Sequence, residues 1–128
     1  MDVLASARRA VLATIREDGS PRLVPITFAI AHDGDAMVLY SALDEKPKSV
    51  GDVHALARVR DIVARPRVSI VVDRWSEDWA ELAWLRLDGT SSLLEPPIQP
   101  RQPNTPRRSA CCVSAIRNTR PSDWRDCR

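Results

Sequence analysis

Residues 10–31 read AVLATIREDGSPRLVPITFAIA, and this stretch decides the fold. Two apolar runs, 10–16 and 21–31, flank the polar step Glu17-Asp18-Gly19-Ser20. Asp-Gly between apolar runs is a strong short-range hairpin signal, because both central positions of the favoured tight turn take positive φ. In the second run Val24, Ile26, Phe28 and Ile30 alternate with Leu23, Pro25, Thr27 and Ala29, which is the period of a strand. Pro25 has no N–H to offer a ladder, so its strand belongs at a sheet edge or at a bulge.

Working outward, a second Asp-Gly at Asp33-Gly34 turns the chain into residues 36–41 and completes a three-strand antiparallel meander. Residues 1–9 suggest a short lead-in helix. Residues 44–48 are polar and read as a loop. Ser49 can cap a helix reaching to about residue 64, with Val50, Val53, Leu56, Val59 and Val63 spaced to form one apolar stripe. Pro66 ends it. A β-branched run over 67–73 gives a fourth strand, and residues 82–94 a fifth that is interrupted at Asp88-Gly89 by a turn or bulge. The expectation is a mainly β domain with one or two helices, folded as a small antiparallel barrel. Parallel α/β topology does not fit, since a helix separates only one strand pair.

After Glu95 the pattern stops. Residues 1–95 carry 12 basic and 15 acidic residues, whereas residues 96–128 carry 7 and 2, so the net charge of +2 joins an acidic body to a basic tail. The tail also holds six of the ten prolines and all three cysteines, without apolar periodicity, so it is expected to be disordered. The expected domains are therefore 1–95, the barrel, and 96–128, the tail. No window approaches 18 uninterrupted apolar residues, and the N-terminus lacks a signal-peptide layout, which points to a cytoplasmic protein without a membrane partner.

His32 and His54 are the only histidines, and neither Cys-x-x-Cys nor His-x-x-x-His spacing occurs, so no metal site is expected. Cys111, Cys112 and Cys127 read as incidental thiols. Glycine-rich phosphate loops are missing. Lys46-Pro47-Lys48-Ser49 contains the only two lysines and directly precedes the expected helix. Two ammonium groups, a capping hydroxyl and free helix N–H groups could converge on a phosphate, or the pair could simply be solvated in a loop. Trp75, Trp79 and Trp84 surround the acidic step Ser76-Glu77-Asp78. Trp84 reads as core, while Trp79 divides evenly between packing over the barrel mouth and stacking on a ligand or partner.

Val11-Leu12-Ala13-Thr14, Asp18-Gly19-Ser20-Pro21, Val24-Pro25-Ile26-Thr27-Phe28, Tyr40-Ser41-Ala42, Lys46-Pro47-Lys48-Ser49, Pro66-Arg67-Val68-Ser69 and Trp79 with Asp88-Gly89-Thr90 occur in that order. The set resembles the pyridoxamine 5′-phosphate oxidase-like oxidoreductases, specifically the branch assigned coenzyme F420, over about residues 9–95. The resemblance implies an FMN-binding split β-barrel, a homodimer with cofactor at the interface, and hydride transfer between reduced F420 and a small organic acceptor. It implies that Lys46, Lys48 and Ser49 hold the cofactor phosphate. Backbone around Pro25, Ile26 and Thr27 would lie against the ring, Ser41 and Ala42 would line the same pocket, and Trp79 would approach from the opposing subunit. No catalytic residue is implied, because the cofactor ring carries the chemistry.

Departures from the family pattern are Val50-Gly51-Asp52-Val53, where arginines are usual, and an end without the family's further helix and closing strand. The barrel is thus expected to be C-terminally truncated or altered, its tail being either a divergent sequence or the out-of-frame reading of a GC-rich gene. Alternatives to an F420 enzyme are an FMN-dependent member of the same fold, and a non-catalytic cofactor- or haem-binding or inactive barrel. A nucleic-acid partner for the basic tail is disfavoured, since Trp124 is its single aromatic residue.

Overall fold

The computed structural model describes residues 3–43, 56–94 and 113–122, the last of these as backbone. After a one-turn helix α1 (Val3–Ser6) come strands β1 (Arg9–Ile15), β2 (Pro21–Thr27), β3 (Ala29–Asp33) and β4 (Ala36–Ala42). Helix α2 (Ala57–Ala64) then leads to β5 (Arg67–Arg74), β6 (Ala83–Leu94) and β7 (Val113–Ser122). The seven strands form one sheet in the order β2-β1-β5-β6-β7-β4-β3. Every neighbouring pair is antiparallel.

Both Asp-Gly steps are turns, with the positive φ confined to glycine. Arg16 N–H donates to Ser20 O (2.9 Å) and Gly19 N–H to Arg16 O (3.0 Å), closing a three-residue loop with Gly19 at φ +83°. The expectation of positive φ at both central positions is corrected here, because a three-residue loop places only its last residue in the left-handed region. Asp18 Oδ1 accepts from Ser20 N–H (2.9 Å) and Oγ–H (2.6 Å), tying the loop to itself. In the second hairpin Asp33 pairs with Ala36 around Gly34-Asp35, with Gly34 at φ +61°.

The expected single strand over 21–31 is broken at Phe28. Its first half, β2, pairs with β1, and its second half, β3, pairs with β4. The meander survives with a bent middle member whose halves each take one partner. Since β2 and β3 are the two edges of the sheet yet are joined through one residue, the sheet must curl until its edges meet. That closure is the barrel, and β2 touches β4 without being its ladder neighbour. Pro25 accordingly sits on an edge strand, where its missing donor is tolerated.

Alternation builds the core: Ala10 and Leu12 from β1, Ile26, Leu39, Val68, Ile70, Val72 and Leu87, with Ile62 from α2. Burying each large aliphatic side chain contributes about 1.5–3 kcal/mol. Because Leu85 and Leu87 turn inward on β6, Trp84 turns outward and is 38% exposed, so its expected core position is corrected. The expected helix over 49–64 is also corrected. Leu56 is extended (φ −64°, ψ 130°), without a side-chain cap, and the described helix begins at Ala57. Leu56 instead packs with Leu43, Val59 and Leu93 in a second apolar cluster. Ile62 replaces Val63 on the buried stripe, leaving Val63 exposed. Ser49, Val50 and Val53 lie outside the described residues. Arg65 leaves helical geometry (φ −139°) just before Pro66, the conformation that a following proline imposes.

The register of β6 against β7 shifts at Asp88/Gly89, so that step is a bulge and not a turn. β7 lies inside the 96–128 segment expected to be disordered, and for 113–122 that expectation is corrected. Its backbone pairs with β6 on one side and β4 on the other. A strand with two ladder partners is stabilised through its peptide groups, whatever its side-chain pattern.

Candidate functional site

The outward face of β2, β1, β5 and β6 is organised in cross-strand rows. Pro25 is level with Val11, Val71 and Arg86, and Leu23 is level with Ala13, Ser69 and Asp88. Toward β2 the rows are apolar: Leu23 is 66% exposed, Val11 is exposed, and Pro25 stands beside them. Toward β6 they are ionic. Ser69 Oγ–H donates to Asp88 Oδ1 (2.5 Å), and Arg86 Nε lies 3.2 Å from Asp88 Oδ2. Contiguous apolar surface on one sheet face is the usual mark of a covered or ligand-bearing surface.

The expected cofactor residues divide by strand parity. On β2, Pro25 and Thr27 are exposed and Ile26 is buried; at the end of β4, Ser41 is buried and Ala42 is exposed. β2 touches β4, and Ala29, two residues after Thr27, pairs with Tyr40, two residues before Ala42, so the ends of these strands lie together at the closure of the barrel. The side chains of Ile26 and Ser41 thus anchor their strands from inside, while Pro25, Thr27 and Ala42 offer side chain and peptide outside. An edge strand also keeps a row of peptide groups free of ladder partners, available to a ligand's polar rim. Lys46, Lys48 and Ser49 lie outside the described residues.

Trp79 belongs to the β5–β6 connection and is 86% exposed. The turn beneath it is well tied. Asp78 Oδ1 accepts from Ala80 N–H (2.9 Å), Asp78 O accepts from Glu81 N–H (3.0 Å), and Asp78 N–H donates to Ser76 Oγ (3.1 Å). Arg74 Nε–H donates to Glu81 O (2.9 Å), closing the base of the connection. Thr27 pairs with Arg9 and Asp73 pairs with Trp84, so this connection rises from the same end of the sheet as Thr27.

Sequence reasoning missed Asp61. It is buried on α2 between Val59 and Ile62, and its Oδ2 accepts from Thr14 Oγ1–H (2.9 Å) and from Arg22 Nε–H (2.7 Å). Burial alone would push its carboxyl up. The bonds from Arg22 and Thr14, with the charges of Arg22 and Arg65, outweigh that and hold it below its ordinary value. The available signal was an acidic residue inside an apolar helical stripe, but its partners are 39 and 47 residues away. Among the described residues no group of three His, Cys, Asp or Glu side chains could hold a metal ion. None of their helices is long and apolar enough to cross a membrane.

The family model for pyridoxamine 5′-phosphate oxidase matches residues 1–115. No curated protein matches the chain. Among solved structures, it is similar to the conserved hypothetical protein Rv2991 from Mycobacterium tuberculosis (TM-score 0.65, 18% identity, covering 96% of this chain and 80% of that one). It is also similar to a pyridoxamine 5′-phosphate oxidase-related, FMN-binding protein from Nostoc punctiforme (TM-score 0.58, 15% identity, covering 88% and 72%). A third similar structure is the haem storage protein HutZ from Vibrio cholerae (TM-score 0.56, 17% identity), where 76% of this chain spans 61% of that one. These likenesses establish the split-barrel fold.

Proposed function

The chain belongs to the pyridoxamine 5′-phosphate oxidase family, and on that premise we propose that it is an oxidoreductase that binds coenzyme F420, with FMN as the alternative cofactor. Its reaction is hydride transfer between the reduced cofactor and a small organic acceptor. The observation that carries this reading is the exposed edge of β2 at Pro25 and Thr27, backed by buried Ile26 and adjoining Ala42 at the barrel closure. A planar tricyclic ring has an apolar face for Pro25 and a polar rim for an edge strand's peptide groups.

The cofactor ring supplies the hydride chemistry when bound. Pro25 and Thr27 orient the ring through their backbone, and Ile26 and Ser41 keep their strands from shifting by being locked into the interior. Lys46 and Lys48, with the Ser49 hydroxyl, hold the phosphate by charge and hydrogen bonding. The apolar rows at Leu23, Val11 and Pro25 pack against a second copy, which excludes water from the ring and lets the partner's connection bring an indole toward it. A homodimer therefore completes the site.

Titration of the purified chain with F420 and with FMN, followed by tryptophan quenching, tests the proposal. Saturable binding that favours F420 is expected, with Lys48→Ala weakening it about tenfold or more and Arg16→Ala leaving it unchanged. Equal effects of the two substitutions would remove the phosphate assignment. A haem-binding role is the second reading, favoured by the likeness to HutZ. It predicts a Soret band on adding hemin and no quenching by either flavin-type cofactor.

A further inference from the structure

Arg16, Glu17, Asp18, Arg22, Arg60, Asp61 and Arg65 line an open cleft of about 480 Å³ between the β1–β2 hairpin and α2. None of the residues assigned to the cofactor lines it. Two of its four guanidinium groups are anchored through Nε alone: Arg22 to Asp61 Oδ2 (2.7 Å) and Arg65 to Ile15 O (2.9 Å). The terminal nitrogens of both, and the whole guanidinium groups of Arg16 and Arg60, make no hydrogen bond among the described residues. Bracing the helix explains the two Nε bonds and leaves these donors over.

The carboxylates in the cleft are largely engaged. Asp61 is neutralised by Arg22, and Asp18 accepts from Ser20 within its own turn. Four guanidinium groups, two of them pre-positioned, thus meet three carboxylates, of which Glu17 and the still-charged Asp18 beside Arg16 face solvent, leaving one positive charge in surplus. Holding a guanidinium by one nitrogen fixes the fork before a ligand arrives, which lowers the entropy lost on binding. Donors reach the cleft from the hairpin (Arg16, Arg22) and from the helix side (Arg60, Arg65). A tetrahedral group can present oxygens to both walls at once, whereas a planar carboxylate serves one fork.

We infer that this cleft binds the phosphoryl end of a small phosphorylated molecule, at a site separate from the cofactor's. The test titrates the full chain with pyrophosphate, inorganic phosphate and citrate at ionic strength held constant with KCl. Calorimetry gives the affinities and NMR follows the arginine Nε–H signals. Saturable pyrophosphate binding is expected, weaker for inorganic phosphate and weakest for citrate. The double variant Arg16→Ala/Arg60→Ala should weaken it about tenfold or more without moving the thermal midpoint, since neither side chain braces the fold. Absence of saturable binding, citrate binding as tight as pyrophosphate, or an unaffected double variant would each overturn the inference. So would loss of F420 or FMN binding in that variant, because the cleft would then belong to the cofactor site.

Discussion

Asp61 places a carboxylate on the apolar side of α2, where it is 5% exposed, and only the bonds from Thr14 and Arg22 make that tolerable. Asp61→Asn keeps an amide oxygen as acceptor but removes the charge opposite Arg22, so it should lose about 2 kcal/mol of stability at neutral pH, measured by urea unfolding. The pH dependence has a definite sign. The carboxyl is held lower in the folded chain than in the unfolded one, so the unfolded chain takes up the proton first. The contribution is complete above the ordinary carboxylate range and drains away as pH falls through the folded value. The native urea midpoint should therefore fall more steeply than that of Asp61→Asn between about pH 5 and about pH 3. Parallel curves would show that Asp61 takes up its proton at the same pH in the folded and unfolded chain.

Each hairpin depends on one glycine, and the first can be tested without disturbing packing. A Cβ at Gly19 would meet nothing within 4 Å, yet the residue sits at φ +83°. The penalty of Gly19→Ala is then pure backbone strain of about 1–2 kcal/mol, read as a lower urea midpoint. An unchanged midpoint would mean that the turn relaxes to another type. At this scale much was legible in the chain itself. The Asp-Gly turns, the edge place of Pro25 and the interruption at Asp88-Gly89 follow from φ preferences and a missing N–H. The break at Phe28 and the start of α2 at Ala57 were not, since each follows from what neighbouring elements cover.

Across the whole molecule, β7 holds β6 and β4 side by side, so the sheet that curls into the barrel is made continuous by a segment without apolar periodicity. Deleting residues 113–122 strips ladder partners from both strands at once. The truncated chain should lose its cooperative thermal transition and expose sheet edges prone to association, seen by near-UV circular dichroism and light scattering. A retained sharp transition would show that the barrel closes without β7. Of the candidate site, the family resemblance pointed to the β2 segment and to Trp79, and the structure adds the exposure of Trp79 and the division of Pro25 and Thr27 from Ile26 and of Ala42 from Ser41. The sequence by itself determined the mainly β class, the first strand and its hairpin, the strands around residues 67–94, and membership of the family. The strands and hairpin rest on alternation and turn chemistry acting within a few residues, and the family on an ordered set of short motifs. Only the tertiary structure decided that β7 sits between β6 and β4, that Asp61 meets Arg22 and Thr14, and that the hairpin and α2 enclose a guanidinium-lined cleft. Such contacts join segments far apart in the chain, and backbone pairing and burial select them without leaving a local pattern to read.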